Sequence, residues 1–214
     1  METEPTKAEP AKRKRSWFQF SLRTLLIFTL ICAVACAWLA RKIDQKRKER
    51  EAMVELGKLG GHILYDANPS GPDWLQKFLG ENYFSEANQL LFDWGETKIT
   101  DAGLANLKRL TKLQFLRFAA TNVTDAGLEH LTGLTELQSL YLDETNITDA
   151  GLGHVKALTQ LQWLSLGGTK VTDAGLVNLK ALTRLQTLVL SRTRITDAGV
   201  KDLQEALPNC KIVR

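Results

Sequence analysis

Thr145-Asn146-Ile147-Thr148-Asp149-Ala150-Gly151-Leu152 is one of five near-copies of a single octet. The others begin at Thr97 (TKITDAGL), Thr121 (TNVTDAGL), Thr169 (TKVTDAGL) and Thr193 (TRITDAGV), so the starts fall 24 residues apart without an insertion. A fixed period marks a repeat architecture and decides the fold before any local propensity does. In one period, Leu137 to Gln160 (LQSLYLDETNITDAGLGHVKALTQ), apolar residues fall at Leu137, Leu140, Leu142, Ile147, Leu152, Val155 and Leu158. The alternation around Leu140 and Leu142 is that of a short strand, with Ser139, Tyr141 and Asp143 on its opposite face. Thr145 can bond backbone groups where the chain leaves the strand. Thr148 reads as a helix N-cap, with Asp149 in the first turn, where a carboxylate suits the helix dipole. Leu152, Val155 and Leu158 then form the buried stripe of a short helix or tight helical turn.

One such unit cannot bury its own apolar face. Stacked units bury a continuous core, and about three are needed for stability. The pattern resembles the leucine-rich repeat family, whose usual form is L-x-x-L-x-L-x-x-N-x-L, over roughly residues 88 to 214. Thr97, Thr121, Thr145, Thr169 and Thr193 stand where that family commonly has Asn, and the signature is similar to the T-D-A-G-L variety of bacterial repeat proteins. The resemblance implies an α/β solenoid, with parallel strands on a concave face and short helices on a convex one. It also implies a preformed sheet offered to protein partners.

The net charge of +4 is unevenly spread. Residues 1–50 carry 12 Lys/Arg against 5 Asp/Glu, and residues 51–214 carry 16 against 19. The basic character therefore belongs to the N-terminal appendage and does not indicate a nucleic-acid-binding domain. Residues 1–16, with Lys12-Arg13-Lys14-Arg15, read as a disordered basic tail. Thr24 to Ala40 is a run of 17 residues without a charge, about 25 Å as a helix against a hydrocarbon core of about 30 Å. Leu22 and a snorkelling Arg23 extend it, and Trp17, Phe18, Phe20 and Trp38 suit the two interfaces. Residues 17–40 are thus expected to form a transmembrane helix. Ser21-Leu22-Arg23-Thr24-Leu25-Leu26 resembles the opening of the N-terminal anchors that accompany such bacterial repeat proteins. A cleaved signal peptide is an alternative, with A-x-A patterns at Ala33-Val34-Ala35 and Ala35-Cys36-Ala37; a buried soluble helix is another. Basic residues flank the run on both sides, so the positive-inside rule is close to a tie. The order of short basic tail, apolar run and large domain favours the repeats lying outside the cytoplasm.

Residues 41–88 are expected to hold a juxtamembrane helix (41–59, ended by Gly60-Gly61) and the N-terminal cap of the solenoid. The cap includes a strand at His62–Asp66, a turn-rich loop at 68–72 and a short helix carrying Trp74, Leu75, Phe78 and Leu79. Residues 89–214 are the repeats. Aligning the first rung on Thr97 puts Phe92 and Trp94 in the places of Leu140 and Leu142, with Gln89 replacing the first leucine. Lys211-Ile212-Val213 should close the array as a strand, Ile212 aligning with Leu140.

Candidate binding residues lie on the sheet face opposite the leucines. One ladder runs Phe115, Ser139, Trp163, Thr187 and its neighbour Arg117, Tyr141, Ser165, Val189, with Leu91 and Asp93 as first-rung counterparts. Aromatic and Arg side chains on a rigid sheet are what binding hot spots are made of, which singles out Phe115, Arg117, Tyr141 and Trp163. The alternative is that these side chains only pack against each other. Gln114, Gln138, Gln162 and Gln186 form a solubilising ladder. His130 and His154 share one convex position and offer too few convergent ligands for a metal. The ladder Asp101, Asp125, Asp149, Asp173, Asp197 supplies one carboxylate per rung, where calcium needs about 6–8 oxygens. No Gly-rich phosphate loop, G-x-S-x-G, H-E-x-x-H or C-x-x-C occurs, so neither catalysis, a cofactor, a metal nor a small-molecule substrate is expected. Cys210 reads as a small buried hydrophobe. The reading is a membrane-anchored protein-interaction module; the alternative is a structural domain that packs against copies of itself.

Overall fold

The computed structural model describes residues 22–65, 87–92 and 98–214. The expected basic tail, Trp17, Phe18, Phe20, Asp66, the loop at 68–72, the helix at Trp74–Leu79, Asp93, Trp94 and Thr97 lie outside the described residues. The chain divides into two units, 1–43 and 44–214. A single helix, α1, runs Leu22–Lys58. In the first unit its apolar side chains are exposed, Leu25, Phe28, Leu30, Ile31, Val34 and Trp38 each by more than half. It is long and apolar enough to cross a membrane.

The second unit is built on a seven-stranded sheet whose spatial order is the chain order. β1 (Gly61–Tyr65) is antiparallel to β2 (Ala87–Phe92). β2, β3 (Phe115–Arg117), β4 (Ser139–Tyr141), β5 (Trp163–Ser165), β6 (Thr187–Val189) and β7 (Lys211–Val213) are all parallel. Leu116, Leu140, Leu164, Leu188 and Ile212 are partnered in sequence, so Ile212 takes the place of the strand leucines in the strand Lys211–Val213. Short helical segments return each rung to the next strand. They are α-helical at Asp149–Val155 and Asp197–Ala206, and shorter or 3-10 in the other rungs. The leucines and the Val123, Ile147, Val171, Ile195 series form one core, nearly all of it fully buried. Each such side chain contributes about 1.5–3 kcal/mol. Cys210 joins this core, and burial pushes its thiol up.

The first rung corrects the alignment made on Thr97. Leu90, and not Phe92, partners Leu116, so Gln89 faces Phe115 and Leu91 faces Arg117. Phe92 then takes the place of Phe118, against which it stacks with ring centroids 5.3 Å apart. Leu90 and Leu116 stand 26 positions apart in the chain, but each later pair stands 24 apart. The two extra residues fall after Phe92, because Ile99 is already buried one period before Val123. The end of α1 itself enters the core through Ala52, Met53 and Leu56, and the following Leu59 packs against it. Leu59 O accepts from Lys98 N at 3.2 Å, and Glu51 lies 3.8 Å from Arg109.

The T-D-A-G-L signature has a physical reason that spans two rungs. Each Asp turns to the next rung's Thr and accepts twice, from its N–H and from its hydroxyl. The pairs are Thr124 on Asp101 (2.9 and 2.6 Å), Thr148 on Asp125 (2.8 and 2.5 Å), Thr172 on Asp149 (2.8 and 2.6 Å) and Thr196 on Asp173 (2.8 and 2.6 Å). The role expected for Asp at its own helix start is therefore incomplete. The same Thr hydroxyls at 148, 172 and 196 accept from Ala150, Ala174 and Gly199 N–H as N-caps. The glycine leaves room for the incoming carboxylate: a Cβ on Gly127, Gly151, Gly175 or Gly199 would sit 2.2–2.5 Å from the preceding rung's Asp Oδ1. At the array's end Arg214 takes over, donating to Asp197 and, at 2.8 Å, to Ile195 O. The threonines at the family's Asn position also bond the backbone: Thr121, Thr145, Thr169 and Thr193 donate to the carbonyl three residues earlier at 2.6–2.9 Å.

One member of this ladder, Asp173, carries a pH dependence. The hydroxyl and N–H of Thr196 hold the Asp173 carboxyl below its ordinary value. A lowered carboxylate contributes stability that is complete above the unfolded value, about 3.9, and is lost as pH falls through the folded one. Asp173→Asn is expected to lower the melting temperature at neutral pH. It should also flatten the wild-type fall in melting temperature below about pH 4, as thermal unfolding at a series of pH values would show.

Candidate functional site

Strand alternation places Phe115, Arg117, Ser139, Tyr141, Trp163, Ser165, Thr187 and Val189 on the face opposite the leucines. The register joins Phe115 to Ser139 to Trp163 and Arg117 to Tyr141 to Ser165. Three of the four candidate residues meet as an oblique ridge across β3, β4 and β5. The Phe115 and Tyr141 rings lie 5.1 Å apart at 37°, and Tyr141 and Trp163 lie 6.0 Å apart at 26°. These separations are within the favourable aromatic range. Phe115 and Tyr141 are half-buried and Trp163 is exposed. Mutual packing thus fixes the rings and still leaves the end of the ridge open. Arg117 is the in-register neighbour of Tyr141. Burial pushes the Tyr141 phenol up, Arg117 opposes the shift and Asp143 adds to it, so the tyrosine is a neutral donor near neutral pH.

Beside the ridge the polar groups are engaged with each other. Asp143 accepts from Ser165 Oγ at 2.5 Å and from Gly167 N at 3.2 Å. Glu144 reaches Arg192 at 2.6 Å across an intervening rung. That rung presents Gly168, with φ of +69°, where a Cβ would meet Glu144 Cγ at 3.2 Å. The glutamine ladder continues the sheet through its backbone, each N–H donating to the preceding glutamine carbonyl at 2.8 Å from Gln138 to Gln186. Gln114, Gln138 and Gln186 are exposed and Gln162 is half-buried.

The register correction removes Asp93 from the counterpart list and puts Gln89 and Leu91 beside Phe115 and Arg117. Leu91, already placed on this face, moves from beside Phe115 to beside Arg117, and Gln89 is the addition that alignment on Thr97 concealed. On the convex side, His130 and His154 are half-buried, and His130 Nδ1 is a buried nitrogen without a hydrogen-bond partner. Among the described residues no group of three His, Cys, Asp or Glu side chains converges on one point.

A family model described as Leucine Rich repeat matches residues 181–203. The fold is a leucine-rich repeat solenoid. A solved structure agrees with it. An internalin, inlF, of Listeria monocytogenes aligns at 27% identity and a TM-score of 0.50, over 59% of this chain and 34% of that one. An internalin C2 of the same species aligns at 34% identity and a TM-score of 0.44, over 51% of this chain and 44% of that one. A leucine-rich repeat protein of Leptospira interrogans aligns at 22% identity and a TM-score of 0.39, over 51% of this chain and 33% of that one. The chain thus spans less than half the length of these neighbours. Among curated proteins none matches it.

Proposed function

We propose that this protein is a membrane-anchored interaction module. Its leucine-rich repeats bind a protein partner on the open sheet face, and residues 17–40 hold it in the bilayer as a single span. Residues 41–88 join and cap the array, and residues 89–214 carry the recognition surface, on the non-cytoplasmic side of the membrane. Neither a nucleic acid, a small-molecule substrate nor a cofactor enters this reading, and no catalytic step is assigned.

The observation that carries it is the ridge of Phe115, Tyr141 and Trp163 beside Arg117. Aromatic side chains and Arg contribute most per residue to protein interfaces. Here they stand on strands held by parallel pairing on both sides, so little ordering cost accompanies binding. The exposed apolar face of α1 supports the anchor.

Crosslinking and affinity capture from intact cells, with Phe115→Ala/Tyr141→Ala/Trp163→Ala beside the unmodified chain, tests the site. The triple variant is expected to keep the circular dichroism of the wild type, because the ring ladder lies outside the leucine core. Partner recovery is expected to fall at least ten-fold, since a single hot spot is worth about 2 kcal/mol or more. Unchanged recovery by a folded triple variant would remove the site from this face.

A further inference from the structure

We propose that the turn of α1 formed by Trp38, Arg41 and Lys42 binds the headgroups of anionic phospholipids. This rests on residues 17–40 spanning a membrane, and it adds a ligand class to that reading. The apolar run ends at Ala40, and Arg41 and Lys42 follow directly. Both are exposed, and Lys42 Nζ stands 5.9 Å from the centre of the Trp38 ring, itself 61% exposed. An indole at that level marks the membrane interface, and the cation one turn later lies where lipid phosphates begin.

The pairing of charges further along the helix singles this turn out. Asp44 is 2.6 Å from Arg47 and 2.7 Å from Lys48, and Glu49 is 3.2 Å from Lys46. Glu51 reaches Arg47 at 3.9 Å. Lys46, Arg47 and Lys48 thus already have acids of their own helix. Among the described residues no carboxylate lies within ion-pair distance of Arg41 or Lys42. No described residue supplies their counter-charge, and at the membrane surface the anions at hand are lipid phosphates. At the other end of the run, Arg23 is also exposed. Arg23 and Arg41 are 18 residues apart, about 27 Å along a helix, near the hydrocarbon thickness of about 30 Å. Both ends of the span therefore present a cation at phosphate depth. Among the described residues, only the end with Arg41 and Lys42 joins two adjacent cations to an indole.

The test uses the full chain reconstituted in phosphatidylcholine vesicles containing a minor fraction of phosphatidylglycerol. Spin-labelled analogues of each lipid report how much is immobilised by the protein. At low salt the wild type is expected to hold phosphatidylglycerol in preference to phosphatidylcholine. Each of Arg41→Gln and Lys42→Gln is expected to lower that preference about five-fold, and the double variant about thirty-fold. Lys42→Arg should retain it, and Arg47→Gln should leave it unchanged, because Arg47 is already paired. Raised ionic strength should weaken the preference, as screening shortens to within a few ångströms. Equal retention of the two lipids by an inserted wild-type chain, or full selectivity in the inserted double variant, would overturn the headgroup site alone. Extraction of the wild-type chain by alkaline carbonate would overturn the membrane span, and the headgroup site with it.

Discussion

Gly151→Ala is expected to destabilise the repeat domain by about 2 kcal/mol, although helix propensity alone favours the alanine by about 1 kcal/mol. Gly151 lies in the helix Asp149–Val155. A Cβ there would stand 2.3 Å from Asp125 Oδ1 and 3.1 Å from its Cγ. The carboxylate can swing away, but it would then release the N–H and hydroxyl of Thr148, held at 2.8 and 2.5 Å. Bonds to a charged acceptor are worth about 1.5–3 kcal/mol each, and partial access of water returns some of that. The net sign is set by the neighbour and not by the helix. Gly153, two residues on in the same helix, meets nothing within 4 Å, so Gly153→Ala should raise stability by up to about 1 kcal/mol. Opposite shifts of melting temperature for this pair would establish the cross-rung contact. A double variant with Asp125→Ala should show strong non-additivity, since the clash and its target vanish together.

Leu164→Ala is expected to cost about 2–5 kcal/mol, the range for emptying a fully buried leucine site. Leu164 is inaccessible and lies in register between Leu140 and Leu188. Its loss opens a cavity shared with the rung on either side, which the strands on both flanks prevent from collapsing. In a stacked array, interface terms between neighbouring rungs dominate stability, so a central lesion weakens two interfaces and a terminal one weakens a single interface. Ile212→Ala, on the partly buried last strand, should cost less than half as much. Chemical denaturation of both variants, followed by far-ultraviolet circular dichroism, checks the ratio.

The strands, their register and the core from Leu113 onward were legible because one period repeats without change. Leucine positions read in a single rung held in the following ones. What failed did so for two physical reasons. At the first rung the sequence alignment followed the octet, which is intact. The strand before it is offset by two residues, and a period-two pattern with Leu90, Leu91 and Phe92 in a row offers no clue to which residue faces inward. The Asp ladder failed differently. Local rules ask what a carboxylate does for its own helix, and Asp125 satisfies them, yet its bonded partner is 23 residues away. The repeated co-occurrence of Thr, Asp and Gly at fixed offsets was the available signal, since a glycine inside every helix start has no local justification. The candidate ridge was legible as a list of residues on one face. That Phe115, Tyr141 and Trp163 touch obliquely, and not along one ladder, follows from ring size and strand spacing, which a list does not carry. The role of the α1 end as the cover of the first rung was hidden because its apolar residues sit at the close of a long charged stretch.

The carboxylate ladder bears on how such an array changes length. Every internal rung offers its neighbour the same acceptor and asks of its other neighbour the same donors, so a whole 24-residue block can be duplicated or excised without orphaning a polar group. Copy number can therefore change without disturbing the contact of Leu59 with the first rung at Lys98. Each block gained would lengthen the sheet face by about 4.8 Å, so the area it presents can be set by counting rungs and leaving their chemistry intact.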